Sequence, residues 1–242
     1  MDRPNIVKII CRDIGKHLGC YGVKTVNTNS IDSLAKGGIL FNNAFATSPG
    51  CSPSRAAIAT GTYPHNTGVL GLAHAHFGWS LDKKIKHIAK YFSSNDYNSI
   101  LFGLQHVTYH DEILGFNKIF PERPADNVIK NIEDNIDTKL FEKPFYAEVN
   151  FFEPHRPFDY GGVKPFRSKG VFIPKYIPNS LNIKKEFAAM QGAIKKMDES
   201  VGKIINLLKK KNLYENTIII FTTDHGIPFP RAKGTLYDAG IE

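Results

Sequence analysis

The chain has 242 residues, 42% of them hydrophobic, so it is long enough to bury a sizeable core in one large domain. Its net charge of +8 comes mostly from lysines scattered over predicted helices, and no nucleic-acid motif is present, so a solvated helix face is favoured over nucleic-acid binding. No apolar run is long enough to cross a bilayer, and three cysteines give no disulfide framework.

Strand and helix patterns alternate along the chain. Predicted strands, rich in β-branched and aromatic residues, cover 5–11, 97–102, 144–151 and 217–222. The clearest helix is 183–210, where apolar residues recur at alternating steps of four and three, at Ile183, Phe187, Met190, Ile194, Met197, Val201, Ile204 and Leu208. We therefore expect an α/β domain over 1–242, with a mainly parallel central sheet and helices on both faces.

Residues 51–55 read Cys-Ser-Pro-Ser-Arg and form the most informative stretch. Cys51 lies at the start of a short helical pattern, where free backbone N–H groups and the helix dipole favour negative charge. Pro53 suits the first turn of a helix, and Arg55 supplies a permanent cation. A lone cysteine is more often a small buried hydrophobe, which is our interpretation of Cys11. The stretch around Cys51 instead predicts a site for a tetrahedral oxyanion beside a cysteine.

This pattern resembles the signature of the type I sulfatases, within the alkaline phosphatase superfamily. Other segments that look like sulfatase sequence are 4–10, 19–22, 30–35, 41–45, 61–65 and 223–226. Within the family, the likeness is greatest to the heparan N-sulfatase (sulfamidase) branch, on segments 71–72, 154–158, 176–179 and 224–230. The resemblance implies an alkaline-phosphatase-like α/β fold and hydrolysis of sulfate esters or sulfamates.

The resemblance also implies the roles of individual residues. Cys51 would be oxidised to formylglycine by a maturase, and the hydrated aldehyde would attack the sulfur of a sulfated small molecule or glycan. Arg55 and Lys233 would neutralise sulfate oxygens, while His155, or less favourably His106, would protonate the leaving group. Ca²⁺ or another divalent cation would be bound by four side chains, those of Asp13, Cys51, Asp224 and His225.

Two positions depart from the family pattern. Arg12 stands where the first of two consecutive metal-binding aspartates is expected, and Leu104 stands where a sulfate-binding lysine is expected. Two unit charges ~4 Å apart interact by roughly 4 kcal/mol at an effective dielectric of about 20, so Arg12 is a large change. One hypothesis is that Arg12 serves as an internal cation.

Three functional interpretations stay open. The first is a sulfate-ester or sulfamate hydrolase. The second is a catalytically impaired sulfatase-like remnant or binding protein, which Arg12 and Leu104 favour. The third is a phosphodiester or phosphonate ester hydrolase of the same superfamily, in which an Asp-His pair such as Asp224-His225 also occurs at the metal site. His65, His74 and His76 receive no assigned role.

Sulfatases are longer than this chain, so the resemblance implies that a smaller C-terminal subdomain is missing and that a second chain could complete the fold. We therefore expect an uncovered sheet edge, exposed apolar surface, and self-association of the isolated chain. The sequence runs directly into the first strand without a leader, which predicts a cytoplasmic location, although sulfatases are often exported.

Overall fold

Five strands and seven α-helices lie in residues 3–74, 76 and 78–242, the part of the chain that the computed structural model describes. The strands are β1 (Asn5–Cys11), β2 (Asn98–Gly103), β3 (Lys118–Phe120), β4 (Phe145–Asn150) and β5 (Thr217–Thr223). The helices are α1 (Asn29–Gly37), α2 (Cys51–Thr60), α3 (Pro64–Thr67), α4 (Ile88–Ser93), α5 (Ala125–Asn135), α6 (Leu181–Lys210) and α7 (Asp238–Ile241). No helix in these ranges has the length and apolar character needed to cross a membrane.

The strands form one parallel sheet in the order β3-β2-β4-β1-β5. This confirms the predicted α/β class, and each predicted strand agrees with an observed one to within one residue at either end. The prediction lacks β3, because three residues are too few to carry a recognisable period.

Helix α6 packs its apolar stripe into the main core, as its spacing predicts. It begins at Leu181, two residues before the predicted start, because the Ser180 hydroxyl oxygen accepts a hydrogen bond from the N–H of Ile183 at 3.3 Å and caps the helix. The stripe residues packed in this core and buried are Phe187, Met190, Ile194, Met197, Val201, Ile204 and Leu208.

The opposite face of the sheet contains a buried charged pair. Lys8 on β1 and Glu148 on β4 are register partners, and Lys8 Nζ lies 2.8 Å from Glu148 Oε2. The Tyr146 hydroxyl donates to the same carboxylate at 2.7 Å, and Asn150 Nδ2 donates to Oε1 at 3.0 Å. The ring of Phe92, on α4, stacks on Tyr146 and covers this face. The carboxylate is therefore buried with several partners, which is the arrangement a buried charge requires.

Strand β5 leaves an edge of the sheet open. In the described part of the chain it pairs only with β1, and Ile218 and Ile220 on it are 50% and 44% exposed. An unpaired strand edge that carries apolar side chains is a template for association.

We accordingly expect the isolated chain to self-associate, and Ile220→Lys to shift it toward monomer in analytical ultracentrifugation. A charged side chain on the open strand repels a second copy. Leu181, which is 70% exposed at the start of α6, provides the matched control, so Leu181→Lys leaves the distribution unchanged. A parent chain that sediments as a single monomeric species contradicts the expectation.

Candidate active site

The candidate site lies where several parallel strands end at one edge of the sheet. Asp13 follows β1, His106 follows β2, His155 follows β4, and Asp224 and His225 follow β5 directly. In open α/β sheets this carboxyl edge is where ligands bind. Helix α2 begins at the same place with Cys51 as its first residue.

Two of these residues have backbone conformations that non-glycine residues rarely adopt. Asp13 has φ 55° and His106 has φ 62°, both in the left-handed region. The turn before His106 depends on Gly103 (φ 97°), where an added Cβ would lie 2.0 Å from the carbonyl oxygen of Asn150. Strain of this kind persists where the surrounding structure holds a residue in place, and it clusters at functional sites.

Four side chains converge on one point. The ligand atoms of Asp13, Cys51, Asp224 and His225 all lie within 4.8 Å of one another, and all four residues are buried. His225 Nε2 lies 3.2 Å from Cys51 Sγ, 3.2 Å from Asp13 Oδ1 and 3.6 Å from Asp224 Oδ1. The cysteine that the sequence singles out therefore faces residues from both ends of the chain.

Two cations pair with the carboxylates of this cluster. Arg55 Nε donates to Asp224 Oδ2 at 3.0 Å, and Lys233 Nζ donates to both oxygens of Asp13 at 3.0 and 2.9 Å. Arg55 is 2% exposed, and its Nη1 has no hydrogen-bond partner among the described residues. A buried, unpaired guanidinium N–H group is costly unless a ligand oxygen satisfies it.

The cysteine thiol is strongly activated. Burial and the charge of Asp224 raise the pKa of Cys51, but hydrogen bonds from His106, His155 and His225 outweigh them and lower it to about 3. A thiolate at the start of a helix, among imidazoles, is a reactive sulfur. Cys11 differs, because burial and then Asp224 raise its pKa well above the ordinary value, which agrees with an inert core residue.

His155 is the most open of the three imidazoles around the sulfur. Its side chain is 27% exposed, and its Nε2 lies 3.9 Å from Asp13 Oδ2. Its Nδ1 lies 2.5 Å from the carbonyl oxygen of Arg156, which accepts a hydrogen bond from it. His155 can therefore meet a ligand from the solvent side of the cluster.

The residues present fit a divalent cation. The Gly226 carbonyl oxygen is 3.0 Å from His225 Nδ1 and accepts its N–H, so a divalent cation would take the place of the Nε2 proton that faces the cluster. Two carboxylate oxygens, an imidazole nitrogen and a sulfur then share one centre. Imidazole and sulfur donors suit transition ions and Zn²⁺, whereas Ca²⁺ takes six to eight oxygen ligands.

The residues to which the sequence analysis gives catalytic or metal-binding roles lie at or beside this cluster. Arg12 is buried there, with its guanidinium against His106. Leu104 instead lines a cavity of about 120 Å³ together with His74 and Tyr109. The sequence gives no role to His74, whose ring stacks on His106 with centroids 5.1 Å apart. No motif or spacing could have revealed that contact.

The comparisons with known proteins agree with the fold. The crystal structure of Ps i-CgsB in complex with k-i-k-neocarrahexaose matches 100% of this chain with a TM-score of 0.77 at 22% identity, and 64% of that chain is covered. The sheet therefore has the alkaline-phosphatase-like fold of the sulfatases. The Sulfatase family model matches residues 4–242, and the chain belongs to this family.

Comparison with two curated sulfatases shows how much of their length this chain covers. An ulvan-active sulfatase from Formosa agariphila is 29% identical over 99% of this chain and 46% of its own length. Human N-sulphoglucosamine sulphohydrolase is 27% identical over 98% of this chain and 54% of its own length. The chain thus spans about half the length of the curated relatives it matches.

Proposed function

We propose that this chain carries the catalytic centre of a hydrolase for sulfate esters or sulfamates, with a nucleophile formed from Cys51. The observation that carries the proposal is the convergence of the Cys51 sulfur with two carboxylates and an imidazole within 4.8 Å. A formylglycine at position 51, made by a maturase, would supply the hydrated aldehyde oxygen that attacks sulfur. Its substrate is a sulfated small molecule or glycan.

Arg55 and Lys233 prepare the site for a sulfate group. The unpaired Nη1 of Arg55 is a fixed donor that needs no reorganisation to accept an anion oxygen. Lys233 already balances the charge of Asp13, and the same ammonium can share its donors with a second sulfate oxygen. The two cations are held by residues from opposite ends of the sequence, so the pocket exists only in the folded chain.

His155 gives a proton to the departing oxygen or nitrogen. It is the imidazole of the cluster most open to a substrate, and the Arg156 carbonyl fixes its Nδ1. The opposite nitrogen, Nε2, therefore points its proton toward the region near Asp13 when the ring is charged.

We further propose that the cluster holds a divalent cation through Asp13, Asp224, His225 and the group at position 51. When bound, the cation polarises a sulfate oxygen. The sequence resemblance favours calcium, but the imidazole of His225 and the sulfur of an unmodified Cys51 favour Zn²⁺.

We expect Zn²⁺ to raise the Tm of the metal-stripped chain with unmodified Cys51 more than Ca²⁺ does. A ligand at about 100 times its Kd adds about 2.7 kcal/mol to the free energy of unfolding. Asp224→Asn removes this increment, measured from the variant's own metal-free Tm, whereas Asp126→Asn, at an exposed carboxylate, keeps it. A larger shift with Ca²⁺ would restore the calcium interpretation, and equal shifts in both variants would remove the metal site.

A substrate panel tests the reaction class. We expect the chain, produced together with a formylglycine-generating maturase, to hydrolyse an aryl sulfate or a sulfamate faster than a phosphodiester. The intact mass of the peptide containing Cys51 shows first whether the thiol has become an aldehyde. Hydrolysis of the phosphodiester alone would favour a phosphodiester or phosphonate ester hydrolase. The imidazole of His225 in the cation cluster is consistent with that class. If the folded, modified chain hydrolyses none of these substrates, the result would favour a binding protein.

A further inference from the structure

Arg12 makes an unusual contact for a buried arginine. Its side chain is 4% exposed, and its Nη2 lies 2.5 Å from His106 Nδ1. The guanidinium carbon lies 5.6 Å from the ring centroid of Phe152, within cation–π range. Among the described residues no carboxylate oxygen lies within 4.0 Å of its nitrogens. The imidazole of His106 is therefore its hydrogen-bond partner in this part of the site.

This contact determines which ring nitrogen of His106 carries the proton. A guanidinium has N–H donors and no acceptor, so the nitrogen that faces it must offer a lone pair. Nδ1 is therefore unprotonated, since a second N–H group at 2.5 Å would point donor against donor. The single proton of the neutral ring is then on Nε2.

The ring of His106 is held from other directions as well. His74 stacks on its face, with the two ring planes 19° apart. The backbone of His106 is left-handed, with φ 62°, and the close approach of Gly103 to Asn150 fixes the turn before it. An imidazole held at its edge, its face and its backbone has little freedom to rotate and exchange its two nitrogens.

We propose that Arg12 is a positioning residue that locks His106 as a neutral Nε2–H donor toward the group at position 51. A hydrogen bond from His106 is one of the causes that lower the pKa of the Cys51 thiol. The proposal rests on the proposed function only in taking position 51 to carry the nucleophile. A ring whose Nδ1 is occupied by a guanidinium and whose Nε2 is protonated orients the nucleophile but accepts no proton. Proton transfer to the leaving group is then left to His155.

The state of His106 can be read directly by NMR of the chain with ¹⁵N-labelled histidine. The His106 signals are assigned by their loss in His106→Asn, and protonated and unprotonated ring nitrogens are distinguished by their ¹⁵N shifts. We expect an unprotonated Nδ1 and a protonated Nε2 in the parent chain, and a mixture of tautomers in Arg12→Met. Arg12→Lys, which also has only donors, retains the parent pattern where its ammonium reaches the ring.

Arg167→Met provides the matched control, because Arg167 is exposed, and it leaves the His106 signals unchanged. A protonated Nδ1 in the parent chain overturns the proposal, as does an unchanged tautomer in Arg12→Met. This measurement needs no turnover, so its failure is distinct from a failure of the proposed hydrolase function. Thermal melts of each variant show whether the folded state is retained.

Kinetics of the modified enzyme add a second test. We expect Arg12→Met to lower kcat about 10- to 100-fold with little change in KM, the range typical of residues that orient a ligand of the reacting centre. In a His106→Asn background, Arg12→Met alters kcat by no more than about twofold, because the imidazole that Arg12 positions is already absent. If the kcat losses of Arg12→Met and His106→Asn multiply in the double variant, Arg12 acts independently of His106. That result would overturn the proposal and indicate direct contact between Arg12 and the substrate.

Discussion

We expect Cys51→Ala to remove the proposed hydrolysis of a sulfated substrate and to leave the fold intact. The side chain is 1% exposed, and alanine fits the space of a thiol at the start of α2 without disturbing its backbone. The variant lacks the side chain from which the proposed nucleophile forms. In a well-studied serine hydrolase, removal of the catalytic nucleophile lowers kcat by roughly six orders of magnitude. We expect a loss of this size in initial-rate assays of the maturase-treated enzyme.

Cys20→Ser is the matched control, because Cys20 is a free cysteine outside the cluster. It keeps the parent rate, and the mass change that accompanies aldehyde formation appears in Cys20→Ser but not in Cys51→Ala. Retained turnover in Cys51→Ala would end the proposed mechanism. Loss of turnover in both variants would point to a general effect on folding, which circular dichroism separates from a chemical one.

Lys8→Met lowers the free energy of unfolding by about 3–5 kcal/mol, the cost of leaving one member of a buried ion pair alone. Lys8 and Glu148 face each other from adjacent central strands and have almost no contact with solvent. Without the ammonium, the Glu148 carboxylate must stay charged in an apolar layer or take up a proton. Urea titration of the parent chain and the variant measures the difference.

The pH dependence distinguishes this mechanism from a simple packing defect. Burial raises the pKa of Glu148, but Lys8 and then His87 outweigh it and hold it at about 2, below its ordinary value. In the parent chain this pair contributes stability above pH ~4.3, and the contribution falls as pH drops toward the folded pKa. In Lys8→Met the pKa rises above the ordinary value, so the variant gains stability as pH falls from neutral. Its slope therefore has the opposite sign.

Two further variants serve as controls. Lys8→Met combined with Glu148→Gln removes both charges and recovers part of the lost stability, because the neutral amide oxygen can still accept from Tyr146 or Asn150. Lys16→Met breaks a partly exposed pair with Glu242 and costs about 1 kcal/mol or less. A Lys8→Met effect no larger than that of Lys16→Met would mean that Glu148 is already neutral or hydrated in the folded chain.

Strong local patterns made much of the fold readable from the sequence. The β-branched run at residues 5–11 and the stripe over 183–210 match β1 and the interior of α6, because burial on a sheet or a helix imposes a period on the sequence. The pairing of Lys8 with Glu148 is not readable, since strand register across about 140 residues leaves no local trace.

At the candidate site, too, local patterns are readable from the sequence and contacts between distant residues are not. The pattern at Cys51 and the Asp-His pair at 224–225 point to residues that the fold brings together, because each occupies a helix start or a strand end. The partner of Arg12 could not be found this way. A guanidinium beside a carboxylate cluster suggests an ion pair, whereas the chain folds it against the imidazole of His106.

The sheet order has a consequence for biosynthesis. β1 leaves the ribosome well before β4 and β5, the two strands with which it pairs, and β5 starts at Thr217. At roughly 5–20 residues per second, about 10–40 s pass before its second neighbour emerges. During that interval Cys51, which the finished fold hides from solvent, is still open to other proteins. The maturase of the proposed function would thus reach the thiol on the nascent polypeptide, before β5 docks and closes access.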